Sequence, residues 1–396
     1  MKAYNENIKA LGSSVHQKRL EYISSFKKSN KKLYDFSAGD PKDPTPEIIL
    51  KKLKESMTPL NPYPPYAGLK DLKSACSKWL ERSLNVDYPE AMILSSNGSK
   101  EAIYHASQVF INPNERSHVL IPVPAYPTYQ SGCLLANGKP LTIPLSPSDN
   151  YEFNIKSLNE SDCKNAQLLW LNYPHNPTGA LLSKNRMEEI YSWALENDIL
   201  IFSDECYIEN VDPQSEKQTS FLRISQENNF KNVLCFFSLS KRSGVTGLRS
   251  GFIAGDEELI SIFSKARAHQ GIGTPIFIQK SATEAWSHDE HVLLRNRNFQ
   301  KKRLVLESFF EKKGLKYFQS GSGINLWIET PYSFNTQEFC QALLDKTGIL
   351  VTPGETFHES SKNYFRMTLA PLLEEIEEAM LILDKSYEEI KNDCEK

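Results

Sequence analysis

The sequence lacks the features that mark membrane, secreted and nucleic-acid-binding proteins. No stretch approaches the ~20 consecutive apolar residues that a membrane span requires. The first 20 residues lack the apolar segment of a secretory signal. A net charge of -3 gives no electrostatic basis for binding nucleic acid. We therefore expect a cytoplasmic protein whose partners are neither membranes nor nucleic acids.

Cysteine is scarce, and its spacing is uninformative for metal binding. The seven cysteines are an odd number, and no two of them form a CxxC pair. Neither a disulfide framework nor a zinc site is expected, and we assign no metal. Reduced thiols in a cytoplasmic protein are the simplest interpretation.

The middle of the chain alternates short apolar runs with amphipathic stretches. The runs lack strict polar alternation, which is typical of strands buried on both faces of a sheet. We predict strands at 119–123, 168–172, 199–205, 233–240 and 251–255, with helices at 100–110 and 184–197. This alternation indicates an α/β fold with a mainly parallel sheet.

The C-terminal third has a different pattern, which predicts a smaller α+β domain. We predict helices at 299–314, 336–348 and 374–392, and strands at 324–329 and 365–370. The predicted division is an N-terminal arm and part of the small domain at 1–45, a large domain at 46–296, and a small domain at 297–396. The proline-rich segment 58–68 is expected to be an ordered loop.

Three predicted strands end in polar residues that are suited to chemistry. Asn176 follows the first, Asp204 and Tyr207 follow the second, and Ser238 and Lys241 follow the third. Ligand sites in open α/β sheets form at the carboxyl ends of strands, so these side chains should share one crevice.

Lys241 taken alone would be interpreted as an exposed lysine at the start of a loop. If Arg242 and Arg249 lie close to it, their charges would lower its pKa and make it a good Schiff-base nucleophile. The neighbouring motifs favour this second interpretation.

Four motifs in order carry a resemblance to a known family. They are Asn176-Pro177-Thr178-Gly179, Asp204-x-x-Tyr207, Ser238-x-x-Lys241 and Gly247-Leu248-Arg249-x-Gly251. The sequence resembles fold-type I pyridoxal phosphate (PLP)-dependent aminotransferases of class I/II, from Gly39 to Arg366. The resemblance implies the α/β PLP-transferase fold type I, with a mainly parallel seven-stranded sheet between helices and a smaller α+β domain. It also implies transfer of an amino group between an amino acid and a 2-oxo acid.

The resemblance implies roles around the cofactor ring. Lys241 would carry PLP as a Schiff base and then act as the general base. Asp204 would keep the pyridine nitrogen protonated, which makes the ring an electron sink. Tyr207 and Asn176 would hydrogen-bond the phenolate oxygen, and Tyr126 would stack on the ring.

The resemblance also implies ligands for the cofactor phosphate. Ser238 and Arg249 would bind it, together with the helix start at Gly98-Ser99-Lys100, although this start also fits a simple helix cap. A tyrosine at the position of Tyr63 would reach the phosphate of the neighbouring subunit, so we expect a homodimer.

Substrate residues are implied in the same way. Arg366 would clamp the α-carboxylate, with a surface strand arginine as the alternative. Asn176 would also contact substrate. Gly39 would permit close approach of the N-terminal segment, or would serve only in a turn. Arg267 would bind a distal carboxylate or lie on the surface. Gly244-Val245-Thr246 departs from the asparagine-led loop that we associate with dicarboxylate aminotransferases.

Several activities are compatible with these residues. The leading one is an N-succinyl-LL-diaminopimelate:2-oxoglutarate aminotransferase of lysine biosynthesis. An aspartate or broad-range amino-acid aminotransferase is an alternative, and a carbon–sulfur β-lyase uses the same cofactor residues. A transcription regulator with a DNA-binding module is not expected, because few residues precede Gly39.

Overall fold

The computed structural model describes residues 5–11, 15–26, 31–60, 62–212, 217–331 and 334–394. The strands are β1 Tyr34–Asp35, β2 Leu94–Ser96, β3 His118–Val123, β4 Lys139–Pro144, β5 Ala166–Leu171, β6 Leu200–Asp204, β7 Val233–Ser238, β8 Gly251–Gly255, β9 Asn325–Glu329, β10 Ile349–Leu350, β11 Thr352–Pro353 and β12 Tyr364–Thr368. The α-helices are α1 Val15–Phe26, α2 Glu47–Ser56, α3 Lys70–Leu84, α4 Ser99–Phe110, α5 Pro127–Leu135, α6 Glu160–Asn165, α7 Lys184–Glu196, α8 Phe221–Ser225, α9 Leu239–Arg242, α10 Glu257–Arg267, α11 Ile276–Ser287, α12 Glu290–Lys313, α13 Thr336–Thr347 and α14 Leu373–Cys394.

A seven-stranded sheet forms the larger part of the fold. Its strand order is β2-β8-β7-β6-β5-β3-β4. Strand β8 pairs antiparallel with β2 and β7, and every other neighbouring pair is parallel. The predicted mainly parallel α/β sheet is confirmed.

Both faces of this sheet are covered, which explains the uninterrupted apolar runs. Successive residues on a strand point to opposite faces. On β7, Phe236 packs with Ile103 of α4 in one buried cluster. Its neighbour Phe237 packs with Trp79 of α3 and Trp286 of α11 in another. Each face therefore has its own apolar core.

The C-terminal third forms a second sheet, in which β9 and β11 pair antiparallel with β12. A separate apolar cluster joins this sheet to α12, α13 and α14 through Phe310, Leu326, Phe339, Met367 and Leu383. Strand β1 pairs with β10, so residues near the N-terminus join this part of the fold. The exact domain boundaries at 45 and 296 stay predictions, and the 1–45 segment includes residues outside the described ranges.

Most predicted elements agree with the observed bounds to within two residues, and two show larger differences. Helix α12 begins at Glu290 rather than 299, and the run at 233–240 divides into β7 and the short helix α9. The described residues of 58–68 form neither helix nor strand.

All seven cysteines carry free thiols. Within the described ranges, no helix is long and apolar enough to cross a membrane. Those same ranges contain no group of three or more His, Cys, Asp or Glu placed to hold a metal ion.

Candidate active site

An open cleft of about 1490 Å³ lies at the carboxyl ends of β5, β6 and β7. Its wall includes Asn176 after β5, Asp204 at the end of β6 and Lys241 in α9 after β7. Gly39 and Arg366 of β12 complete the wall on the side of the smaller sheet. The structure thus brings together five residues that the sequence places far apart.

Lys241 places its amine in this cleft. Its Nζ donates a hydrogen bond to the carbonyl oxygen of Gly39. Burial lowers the pKa of Lys241 to about 8, and the positive charges of Arg366 and Arg249 act in the same direction. A Cβ atom on Gly39 would lie 3.3 Å from Lys241 Nζ, so this position requires a small residue for the close approach.

Arg242 does not face the cleft beside Lys241, contrary to what its position suggests. Its guanidinium carbon lies 4.9 Å from the ring centroid of Trp286. The same group forms ion pairs of 2.5 Å with Glu209 and with Asp289. Arg242 therefore anchors α9 to the neighbouring helices and leaves Lys241 directed into the cleft.

Asp204 is a buried carboxylate with few partners. Burial raises its pKa to about 6, although a hydrogen bond from the Tyr129 hydroxyl at 2.9 Å opposes this effect. The amide of Asn172 donates to the Asp204 carbonyl oxygen at 2.7 Å. Sequence reasoning missed Tyr129 and Asn172. Their only signals are that Tyr129 lies three residues after Tyr126 and that Asn172 ends an apolar run.

Arg366 is buried beside Asn176. Its Nη1 donates to Asn176 Oδ1 at 3.0 Å, and its Nη2 donates to the carbonyl oxygen of Ser37 at 2.5 Å. Its buried Nε has no hydrogen-bond partner in the described part of the chain. Burial lowers the pKa of Arg366 to about 10, so it remains cationic at neutral pH. A cationic guanidinium with one unpartnered N–H at a cleft wall is suited to bind a carboxylate.

The start of α4 forms a turn suited to an anion. Gly98 has a φ of +79° and immediately precedes Ser99, the first residue of α4. The first backbone N–H groups of a helix have no partner within the helix and can therefore bind an anion. Arg249 donates to the carbonyl oxygen of Asn97 at 3.1 Å. A Cβ on Gly98 would lie 2.7 Å from Arg249 Nη2. Ser99, Lys100 and Arg249 all line the cleft, so cation and turn can meet one phosphate.

The other predicted residues occupy different positions relative to the cleft. Tyr126 and Tyr207 line it. Ser238 is buried and caps α9 through its Oγ, whereas Ser240 lines the cleft and lies 3.0 Å from that Oγ. Tyr63 is fully exposed and lies outside the cleft wall. The expected contact of Tyr63 with the phosphate of a neighbouring subunit stays a prediction.

The structure explains the loop that begins at Gly244 and the position of Arg267. Gly244 has a φ of +69°, and a Cβ there would lie 2.3 Å from the guanidinium carbon of Arg295. The positive φ and the position of Arg295 both favour glycine here. Both interpretations of Arg267 are wrong: it is 2% exposed and outside the cleft wall, and it forms an ion pair of 2.7 Å with Glu101, which lines the cleft.

These observations define the class of the protein. A partly buried lysine of lowered pKa, a buried carboxylate and a turn suited to an anion lie at one edge of a mainly parallel sheet, which fits a PLP-dependent enzyme of fold type I. Residues 31–382 match the aminotransferase class I and II family, and the chain belongs to this family. It is a PLP-dependent aminotransferase, whose substrates are amino acids and 2-oxo acids.

Similar proteins extend over most of the chain. It is 33% identical to an LL-diaminopimelate aminotransferase of Aquifex aeolicus, covering 87% of this chain and 89% of that protein. It is 32% identical to LL-diaminopimelate aminotransferase 2 of Trichormus variabilis, covering 88% and 89%. Substrate-bound BacF of Bacillus subtilis superimposes with a TM-score of 0.90 at 26% identity, covering 97% and 98%. A probable N-succinyldiaminopimelate aminotransferase of Thermus thermophilus gives 0.85 at 25% identity, covering 94% and 100%.

Proposed function

We propose that this aminotransferase transfers an amino group between LL-diaminopimelate and 2-oxoglutarate, as part of lysine biosynthesis. The observation that carries the proposal is the 33% identity, over 87% of the chain, to an enzyme named for that substrate. Two further charged side chains line the cleft wall: Arg19, which forms an ion pair with Asp35, and Glu355, which accepts a hydrogen bond from Gln337. Their position supports a substrate with a charged far end. Diaminopimelate has a second carboxylate and a second amino group, which are complementary to these two side chains.

N-succinyl-LL-diaminopimelate is a second candidate substrate. The structural likeness to a probable N-succinyldiaminopimelate aminotransferase favours it. Succinylation removes the positive charge of the distal amino group and adds a carboxylate. The added carboxylate of the succinylated substrate would be attracted to Arg19 and repelled by Glu355. The two candidate substrates therefore require different charges in the cleft.

We propose that the described residues divide the work of catalysis as follows. When bound, PLP withdraws electrons from the α-carbon of the attached amino acid, so that its proton becomes removable. Lys241 holds the cofactor and afterwards moves this proton. At a pKa of about 8, about a fifth of such an amine is neutral at pH 7.4, against about one part in a thousand for an ordinary lysine. Burial thus supplies the general base.

The remaining roles concern position and charge. Asp204 would face the ring nitrogen and hold its proton, and this pairing would offset the cost of burying the carboxylate. Arg366 would bind the α-carboxylate and orient the α-proton toward Lys241. Tyr126 would cover one face of the ring, and Tyr207 and Asn176 would contact its phenolate oxygen.

The phosphate would bind at the turn Gly98-Ser99-Lys100 beside Arg249. Ser238 would contact it directly, or would orient the Ser240 hydroxyl that does so. We propose that the active unit is a homodimer. Support comes from the exposed loop that carries Tyr63, where Met57 and Leu60 also expose most of their surface. A second chain that covered this loop would bury these apolar groups. Tyr63 of the first chain would then lie at the cleft of the second chain.

A half-reaction experiment tests the substrate. The purified PLP-loaded enzyme is mixed with one amino donor at a time, and the loss of the cofactor absorbance is followed by stopped flow. We expect LL-diaminopimelate to react well, and 2-aminoheptanoate, which lacks both distal groups, to react poorly. Faster reaction of the N-succinyl derivative would favour the second candidate. Preference for aspartate, or release of pyruvate and ammonia from cystathionine, would contradict both.

A further inference from the structure

Arg267 and Glu101 form an ion pair next to the turn Gly98-Ser99-Lys100, with Arg267 buried and Glu101 at the cleft wall. Arg267, the last residue of α10, donates from Nη1 to Glu101 Oε1 at 2.7 Å. Its Nη2 donates to the carbonyl oxygen of Ser95 at 2.8 Å and lies 3.3 Å from Glu101 Oε2. A buried arginine is costly unless the geometry of its contacts is good, so the burial of Arg267 has to be explained.

The pair forms hydrogen bonds with the backbone that leads into the turn. Glu101 Oε2 accepts the backbone N–H of Asn97 at 2.9 Å. Thr274 donates to the side-chain oxygen of Asn97 at 2.8 Å, on the other side of the same residue. Residues 95 and 97 are therefore both held through the ion pair, immediately before Gly98 and Ser99. A turn clamped in this way presents its N–H groups in one fixed orientation.

Glu101 keeps its charge throughout the physiological range. Burial alone would raise its pKa, but the hydrogen bond from His105 and the positive charge of Arg267 outweigh this and lower the pKa to about 2. Glu101 therefore remains a strong acceptor for the Asn97 amide at neutral pH.

We propose that Arg267 and Glu101 are positioning residues that preorganise the turn Gly98-Ser99-Lys100 for the phosphate of the cofactor. The inference rests on the proposed role of this turn as the phosphate site. Neither residue needs to touch the phosphate: fixed donors lose less freedom when an anion binds them, so the affinity is higher. Loss of the clamp should weaken ligands that carry the phosphate and spare ligands that lack it.

The test compares two ligands of the cofactor-free protein. PLP and pyridoxal, which lacks the phosphate, are titrated against wild type, Arg267→Met and Arg267→Lys, with absorbance as the readout. We expect Arg267→Met to weaken PLP about tenfold or more, which is typical for partners that orient a ligand-holding group, and to leave pyridoxal unchanged. Arg267→Lys should be intermediate, because it keeps the charge beside Glu101 but loses the forked contact.

Arg186→Met is the matched control. Arg186 pairs with Glu189 on the outer helix α7 at the same 2.7 Å, and it lies away from the cleft wall. This variant should bind both ligands as wild type does. If Arg267→Met does not fold, as judged by circular dichroism, Glu101→Gln replaces it, because the amide oxygen retains one acceptor but the charge is lost.

Two results would overturn the proposal. One is unchanged PLP affinity in a folded Arg267 or Glu101 variant, and the other is equal weakening of PLP and pyridoxal, which indicates a general structural loss. The Arg249→Met variant distinguishes failure of the positioning role from failure of the phosphate-site assignment. If Arg249→Met leaves PLP affinity unchanged, the assigned phosphate site is wrong. If it weakens PLP and Arg267→Met does not, only the positioning role is wrong.

Discussion

Replacement of Asp204 by asparagine is expected to stabilise the cofactor-free protein at pH 8. Asp204 is 3% exposed, and burial raises its pKa from 3.8 to about 6. Between these values the folded state keeps a proton that the unfolded state has lost, so wild-type stability falls as pH rises from about 4 to about 6. The shift corresponds to about 3 kcal/mol lost by pH 8.

Asparagine does not titrate, and its carbonyl oxygen still accepts the Tyr129 hydroxyl. The N–H of Cys206, 3.3 Å from the other carboxylate oxygen, loses its acceptor at a cost of about 1 kcal/mol. The expected net gain at pH 8 is therefore about 2 kcal/mol. Turnover by the PLP-loaded variant should fall sharply, because no carboxylate remains to hold the ring nitrogen protonated.

Urea unfolding of the cofactor-free proteins at pH 5 and pH 8 measures this difference. We expect the gain of Asp204→Asn over wild type to increase by about 1 kcal/mol between the two values. Glu205→Gln is a matched control, because burial raises the pKa of Glu205 to about 7 and this residue lies outside the cleft wall. It should show a pH-dependent gain but normal PLP affinity. A pH-independent difference, or a less stable Asp204→Asn at pH 8, would refute the reasoning.

Three further substitutions test other parts of the site. Arg366→Lys should raise KM for the amino acid about a hundredfold in steady-state assays, because lysine cannot make the forked carboxylate contact, and an unchanged KM would contradict its role. Gly244→Asn should lower the free energy of unfolding by about 2 kcal/mol, since the added Cβ meets Arg295, and wild-type stability would disprove the packing argument. Tyr63→Phe should weaken PLP about tenfold without changing stability, because its hydroxyl is exposed in the single chain, and unchanged affinity in a dimer would count against the shared site.

The apolar runs of the central sheet were predictable because both faces of each strand are covered. The start of α12 was not, since its buried positions include His291, Arg295 and Asn296, and these polar residues interrupt the helical apolar period. The short strands β1, β10 and β11 have two residues each and carry no periodic signal. Their pairing depends on tertiary contacts that no local pattern reports.

The candidate site shows the same division. Lys241, Asp204 and Asn176 lie directly after apolar runs, so the sequence pattern already placed them at one edge of the sheet. Tyr129 contacts Asp204 across 75 residues of sequence, and Arg267 contacts Glu101 across 166. Such supporting contacts arise from packing between elements, which is why Arg267 was misinterpreted and Tyr129 was missed.

The central claim is that Lys241 holds the cofactor covalently, and one measurement tests it directly. The PLP-loaded protein is treated with borohydride, which reduces a carbon–nitrogen double bond to a stable amine, and is then digested and analysed by mass spectrometry. We expect the pyridoxyl phosphate label on Lys241, and no specific label in Lys241→Ala. A label on a different lysine, or a labelled and fully active Lys241→Ala protein, would contradict the account.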